Sequence, residues 1–247
     1  MAAQESNLLT VDFDNEESAL LAQNSVASFG WPQPVAVSDS AVSPAGNRRP
    51  LYLAAKRALD IVGALGLLVA SSPVLFVTWA ILLVSTRGKP FFSQERVGFC
   101  GRTFRMHKFR TMSLDADKKQ HLVKNELSGP VFKNRRDPRI TPFGRLLRSF
   151  SIDELPQLIN VLRGEMTLVG PRPLPTHEIA RCTPRQRRRL AVKPGLTCLW
   201  QVSGRSEIGF DEWVRMDLWY VENQSLATDL KLLFKMPLTI ISRRGAY

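Results

Sequence analysis

The stretch Ser151-Ile-Asp-Glu-Leu-Pro-Gln-Leu-Ile-Asn-Val-Leu-Arg-Gly164 carries the most information in the chain. Leu155, Leu158, Ile159 and Leu162 recur at helical spacing, and Gly164 is a fitting stop. Pro156 sets the other end, because a proline is tolerated only in the first turn, where its missing N–H needs no partner. The N-cap is therefore expected at about Asp153, with Glu154 next. A capping box from Ser151 to Glu154 also fits the pattern but would put Pro156 too deep. Upstream, Thr141-Pro142 reads as the N-cap and first residue of a helix over Pro142–Phe150, which places Arg145 and Arg148 within one turn. Two acids at a helix N-terminus thus meet two cations. Free N–H groups, a helix dipole and two arginines make a phosphate site. A carboxylate placed there can coordinate Mg²⁺ or attack phosphorus. The simpler alternative is that Asp153 only caps a helix.

Outward from this stretch, the charge is uneven. The 247 residues carry a formal net charge of +12, yet residues 1–50 hold six acids and two bases, and the rest holds 32 bases and 16 acids. A basic excess of that size implies an anionic partner: nucleic acid, anionic lipid or a phosphorylated substrate. Residues 1–50, rich in Ser, Ala, Asn and Pro, read as an acidic, disordered tail with room for a short helix near Ser18–Asn24, and without the basic-then-apolar order of a signal peptide. Cys100, Cys182 and Cys198 form no CxxC pair and no disulfide framework, which favours a reduced, cytosol-facing chain and leaves a structural zinc site improbable.

Residues 61–86 carry no charge, a run of 26 that is long enough to cross a bilayer. Both flanks are basic, with Arg48, Arg49, Lys56 and Arg57 before it and Arg87, Lys89 and Arg96 after it. A spanning helix would place one of these clusters on the outer face, against the positive-inside bias. Pro73 interrupts the middle of the run after Ser71 and Ser72, whose hydroxyls can satisfy the carbonyls a proline frees. A kinked hairpin that enters and leaves on one face is the expectation, with Ser72 and Pro73 at the kink; an ordinary spanning helix is the alternative.

From Pro90 onward, strand-like and helix-like pieces alternate. Phe91–Phe92 and Thr103–Met112 are expected as strands, the latter with Phe104, Met106 and Lys108 alternating imperfectly against Arg105, His107 and Phe109. Val169-Gly-Pro-Arg-Pro173 is a rigid turn that pre-orders Arg172. Arg181, Arg185, Arg187, Arg188 and Arg189 form a basic run that is either a solvated helix face or a contact for headgroups or pyrophosphate. Lys193-Pro-Gly-Leu-Thr197 and Gln201-Val-Ser-Gly-Arg205 give two more turns with cations attached. Trp200, Trp213, Trp219 and Tyr220 default to the core, with an interfacial belt as the alternative.

Taken together, these pieces resemble the bacterial sugar transferase family, the monotopic phosphoglycosyl transferases that start glycan assembly on polyprenyl phosphate. The resemblance runs from about Lys56 to the C-terminus. It rests on Lys56-Arg57 with Asp60, the Ser72-Pro73 break, Gln94-Glu-Arg-Val-Gly98, Lys108-Phe-Arg-Thr-Met112, Asp137-Pro-Arg-Ile-Thr141 and Asp153-Glu-Leu-Pro-Gln157. It continues through Asn160-Val-Leu162, Gly170-Pro-Arg-Pro173, Pro194-Gly195, Gln201-Val-Ser-Gly-Arg205 and the tail of Tyr220, Ser225 and Asp229. Each motif alone is weak; the ordered set is specific. Two departures stand out: Cys198 where the family more often has Gly, and Met236 where a Thr is frequent.

The resemblance implies an α/β fold that is mostly helical with few short strands. It implies a monotopic membrane protein with a kinked re-entrant helix (51–89), interfacial amphipathic helices and a small cytosolic catalytic domain (90–247) at the bacterial inner membrane. It also implies a catalytic dyad of Asp153 and Glu154, Mg²⁺ with Asp153 as its ligand, a UDP-sugar donor and a polyprenyl (undecaprenyl) phosphate acceptor at the cytoplasmic leaflet. Asp153 would attack the sugar-linked phosphorus and release UMP; polyprenyl phosphate would then displace the carboxylate. Arg145, Arg148, Arg172 and Arg205 would bind the substrate's phosphates, with Lys193, Gln201, Arg215 and Asp217 as further candidates. UDP-glucose or UDP-galactose is the expected donor, with a HexNAc donor left open. The oligomeric state is open as well, a homodimer among the options. The competing function is a membrane-anchored basic binding or scaffold protein. Nucleic acid as its partner would leave Asp153, Glu154 and the Gly-Pro turns without a use, so no nucleic acid is expected.

Overall fold

The structure is a computed structural model that describes residues 50–119, 121, 123–126, 129–132, 134, 136–204 and 208–242. The acidic tail up to residue 49, where a short helix near Ser18–Asn24 is expected, lies outside the described residues, as does Arg205. The described part is mostly helical with a few short strands, as expected. In chain order it runs α1 (Pro50–Ser85), β1 (Phe91–Val97), β2 (Thr103–Phe109), α2 (Pro142–Ser149), a 3-10 segment (Ile152–Gln157), α3 (Leu158–Arg163) and β3 (Thr167–Val169). Then follow α4 (Thr176–Ala180), α5 (Pro184–Arg187), a 3-10 turn (Arg188–Ala191), β4 (Gly195–Thr197), α6 (Leu199–Ser203), α7 (Phe210–Glu222) and α8 (Leu226–Ser242).

Helix α1 is apolar and long enough to cross a membrane. Its backbone stays helical across Pro73. The carbonyl of Val69, which loses its amide partner to that proline, accepts the Ser72 hydroxyl at 2.8 Å, and the Ser71 hydroxyl donates to the Leu67 carbonyl at 2.6 Å. Much of the helix surface is bare apolar side chain, including Val62, Val69, Phe76 and Val84.

The first turns of α1 are instead polar and buried. The Lys56 ammonium donates to the Val169 carbonyl (3.0 Å), the Tyr220 hydroxyl (3.2 Å) and the Asp229 carboxylate (2.8 Å). Arg57 donates to the Val161 and Leu162 carbonyls, both at 2.7 Å, at the end of α3. There it meets the carbonyls that a helix C-terminus leaves without partners. Asp60 accepts the Leu168 N–H and the Thr167 hydroxyl, each at 2.8 Å. Three side chains within five residues thus hold the helix to α3, β3 and α8. At its other end, Leu75, Trp79 and Leu82 pack with Phe109, Phe143, Leu147 and Ile152 in a small separate apolar cluster.

Strands β1 and β2 form an antiparallel hairpin with Phe92 opposite Lys108 and Gln94 opposite Met106. Strand β1 is longer than the expected pair of phenylalanines; β2 ends at Phe109, and Met112 makes a separate bridge to Ile140. Strands β3 and β4 pair in parallel across a helical crossover. A Cβ on Gly195 would lie 2.0 Å from the Gly170 nitrogen, so this pairing requires glycine at that position. The main core fills the space between these pieces, with Leu158, Val161, Met166, Leu168, Val192, Tyr220 and Leu232 at its centre. Trp213 and Tyr220, one α7 face, lie in this core rather than at a surface belt.

The DELPQ stretch departs from the expectation in its first turn. The N-cap is Ser151, not Asp153, and the first turn is 3-10 rather than α. Pro156 has no N–H to join an α ladder, so the chain closes one tight turn through Glu154 N–H to Ser151 C=O (3.2 Å). The α-helix begins only at Leu158.

Candidate active site

Ser151 sits in the left-handed region (φ 57°, ψ 20°), a conformation uncommon for a residue with a Cβ. That single residue turns the chain from the end of α2 into the 3-10 segment. It presents Asp153 and Glu154 to a cavity of about 420 Å³. Both acids are largely buried, at 6% and 9% exposure. The facing wall is the inner side of the β1–β2 hairpin, carrying Phe92, Gln94, Arg96 and Lys108. Arg148, Arg172, Gln201 and Trp200 close the remaining sides.

The two carboxylates are treated differently. Glu154 Oε1 accepts from Arg172 Nη2 (2.6 Å) and Lys108 Nζ (3.3 Å), and its Oε2 accepts from Gln201 Nε2 (3.4 Å). Asp153 accepts no hydrogen bond among the described residues, although it lines the same cavity. Burial alone would raise Glu154, but Arg172 and Lys108 outweigh it and hold the carboxyl well below its usual range. Burial raises Asp153, and the neighbouring Glu154 charge adds to the rise. The pair therefore consists of one carboxylate held in its ionised form by cations and one more basic carboxylate that accepts no hydrogen bond among the described residues. Burial lowers Lys108 to about 8 despite the pull of Glu154. It also lowers Arg148, whose Nε donates to the Thr111 hydroxyl at 3.0 Å.

Gln201 points its amide nitrogen at Glu154 for a local reason. Its Oε1 already accepts the Cys198 N–H (2.9 Å) and the Cys198 thiol (3.3 Å). Cys198 has an ordinary extended backbone (φ −132°, ψ 160°), so the departure from glycine needs no adjustment of this loop. The thiol is a capping group here, buried and pushed up to about 12 by burial and the Asp217 charge.

Of the sequence candidates, Asp153, Glu154, Arg148, Arg172 and Gln201 meet at the cavity. Arg145 does not: it is exposed and turned away, because Gly144 and Leu147 are the α2 positions pressed inward and Gly144 abuts the Thr111 backbone. Lys193 is exposed at a different place, where Gly164 and Arg57 are its neighbours. Arg215 is exposed and pairs with Glu212 one turn earlier. Asp217 is buried beneath the site and pairs with Arg189 at 2.5 Å. Arg205 lies outside the described residues. The basic run is largely structural. Arg187 donates to the Ala180 and Cys182 carbonyls, and Arg189 donates to the Arg172 carbonyl at 2.8 Å. Lys108 and Arg96 were absent from the sequence candidates. The alternation of Phe104, Met106 and Lys108 put Lys108 on the core-facing side of a strand, and a charge on that side was the available signal.

Mg²⁺ takes oxygen ligands, keeps several waters and is commonly held by one or two carboxylates together with substrate phosphates. Among the described residues no three His, Cys, Asp or Glu side chains cluster as a closed metal cage. Asp153, whose oxygens accept no hydrogen bond among the described residues, and Glu154 beside it fit an open site of that kind.

Residues 51–243 match the family model described as bacterial sugar transferase. The chain is 45% identical over 199 residues to the galactosyl transferase CpsE of Streptococcus agalactiae, covering 79% of this chain and 44% of that one. It is 40% identical over 201 residues to the undecaprenyl-phosphate galactose phosphotransferase of Salmonella typhimurium (78% and 41%). It is 37% identical over 208 residues to the exopolysaccharide production protein ExoY of Sinorhizobium fredii (82% and 92%). The chain thus spans less than half the length of the first two relatives and nearly all of the third.

Proposed function

The chain belongs to the bacterial sugar transferase family, and on that premise we propose that it transfers a sugar 1-phosphate from a UDP-sugar to polyprenyl phosphate, releasing UMP. The product, a polyprenyl-diphosphate sugar, initiates exopolysaccharide or related glycan synthesis. Of the two expected donors, UDP-glucose and UDP-galactose, relatives named for galactose favour UDP-galactose. The observation that carries the reading is the asymmetry of the dyad: Glu154 is engaged by three donors, while Asp153 accepts no hydrogen bond among the described residues and lines the cavity.

An oxygen of Asp153 attacks the sugar-linked phosphorus, and the bridging oxygen leaves with UMP. An oxygen of polyprenyl phosphate then attacks the same phosphorus and returns Asp153 to a free carboxylate. A covalent intermediate lets one small site serve two bulky substrates in turn. Glu154 fixes Lys108 and Arg172 where the equatorial phosphoryl oxygens must be neutralised, and Arg148 adds a third cation. Mg²⁺ held by Asp153 and Glu154 supplies further charge neutralisation when bound.

The site works at the cytosolic face of the inner membrane, with residues 51–89 as a re-entrant helix, 90–247 as the catalytic domain and 1–50 as a tail on the same side. Both ends of α1 pack on the one domain that carries the cavity, which supports entry and exit on one face. Outward-facing Leu230, Phe234, Leu238 and Ile241 on α8 support an interfacial helix beside it. External labelling of the tail on intact cells would overturn this arrangement.

The test is nucleotide release by detergent-purified protein given Mg²⁺, undecaprenyl phosphate and a panel of UDP-sugars. Wild type releases UMP, and D153N, with its fold retained, does not. Release of UDP, or UMP release by D153N at the wild-type rate, would refute the mechanism.

A further inference from the structure

Six lysine and arginine side chains line the cavity: Arg96, Lys108, Arg110, Arg139, Arg148 and Arg172; of these, Arg139 pairs with Asp137, and Arg110 donates to the Lys89 and Phe91 carbonyls. Lys108 and Arg172 converge on Glu154, and Arg148 donates to Thr111 beside the dyad. Arg96 differs from these in having a buried nitrogen without a partner among the described residues. Its Nη1 donates to the Pro173 carbonyl (3.1 Å) and its Nη2 to Gln94 Oε1 (2.7 Å), both neutral acceptors. Its Nε is buried and has no partner, and no carboxylate forms an ion pair with it among the described residues. Glu178 lines the same cavity but accepts the Phe132 N–H at 3.2 Å instead. Burial and the like charge of Arg172 together lower Arg96 to about 10, against the weaker pull of Glu178 and Glu154. A partly buried guanidinium near another, with no carboxylate bonded to it, is an unfavourable arrangement that a bound anion relieves.

We propose that Arg96 binds the α-phosphate of the nucleotide donor and holds the nucleoside monophosphate as it leaves. The inference rests on the phosphotransferase reading above. The donor has two phosphates. Asp153 and the cations around Glu154 serve the sugar-linked one, and Arg96, carried by the strand wall and tied to the carbonyl of the residue after Arg172, serves the other. As Asp153 bonds to the sugar-linked phosphorus, the bond from that phosphorus to the bridging oxygen breaks. The oxygen leaves on the α-phosphate with the electron pair, so the nucleotide gains one negative charge. The guanidinium is a cation on the cavity wall, fixed by its two hydrogen bonds, and needs little reorganisation to meet that charge.

The test compares UMP with uridine on the full chain in detergent with Mg²⁺, by calorimetry. The ratio of their affinities isolates the phosphate, because a loosened cavity weakens both ligands together. In wild type, UMP binds more tightly than uridine. In R96Q the ratio falls about 10- to 100-fold, the worth of a charge-assisted hydrogen bond, while uridine binds as before. If R96Q does not fold, R96K serves: it keeps the charge but not the fork, and the ratio falls by a smaller factor. An unchanged ratio in the folded variant, or equal losses for UMP and uridine, overturns the role of Arg96 and leaves the transferase reading standing if wild type still releases UMP. A wild type that binds neither ligand and releases no UMP overturns both.

Discussion

Replacing Asp60 by alanine tests whether the membrane helix is part of the active-site scaffold. Asp60 accepts the Leu168 N–H and the Thr167 hydroxyl at 2.8 Å each, and it is 4% exposed. Leu168 and Thr167 are themselves 2% and 1% exposed, so water cannot replace the lost acceptor. Each stranded donor costs about 1–3 kcal/mol, and the pair about 2–6 kcal/mol. The Thr167 hydroxyl can rotate, which favours the lower half of that range. D60N keeps an oxygen in place and loses only the charge, for about 1–2 kcal/mol. Set against a typical stability of 5–15 kcal/mol, the alanine variant should lose a large fraction of it. Urea unfolding followed by tryptophan fluorescence in detergent measures this. UMP release measured in parallel should fall in the same order, because β3 runs directly into the turn that carries Arg172. If D60A and D60N both lie within about 0.5 kcal/mol of wild type, the anchoring role is wrong.

Two other perturbations follow from the same geometry. G144A should be destabilising by about 1–3 kcal/mol and cut UMP release at least tenfold, although alanine normally favours a helix. Its Cβ would lie 2.0 Å from the Thr111 carbonyl oxygen, so α2 must shift and take Arg148 with it; wild-type melting and rate would refute this. The third concerns pH. Burial pushes Asp217 up to about 6 against the pull of Arg189, whose close contact with Oδ2 is not aligned as a hydrogen bond. An unfolded carboxyl titrates near about 3.9. Between those values the native state binds more protons than the unfolded one, so this site's contribution is fully present below pH ~4. It is lost as pH rises through about 6, by up to ~3 kcal/mol. The stability of wild type minus that of D217N should therefore decline from pH 4 to 6.5; a flat or rising difference contradicts it.

Much of the site is legible in local sequence because its chemistry is local. Asp153 and Glu154 are adjacent, Pro156 marks a first turn, and Arg172 sits between two prolines that pre-order it. The same holds for the apolar run with its Ser-Ser-Pro break, whose hydroxyls satisfy carbonyls three and four residues back. Local spacing misled at Arg145. Two arginines three apart share one side of an ideal helix, but which side faces inward depends on Gly144 meeting Thr111, a contact between segments far apart in sequence.

The sequence by itself determined that the chain pairs a long apolar helix with a basic domain holding an acid dyad, since periodicity, proline sterics and charge are short-range properties. Only the tertiary structure decided which dyad member accepts no hydrogen bond among the described residues. Arg172, Lys108 and Gln201 converge on Glu154 from three separate elements, and no spacing along the chain encodes that meeting. It also decided that Asp217 and Arg189 build the support beneath the cavity rather than its wall. Burial and pairing there are set by packing across the whole domain.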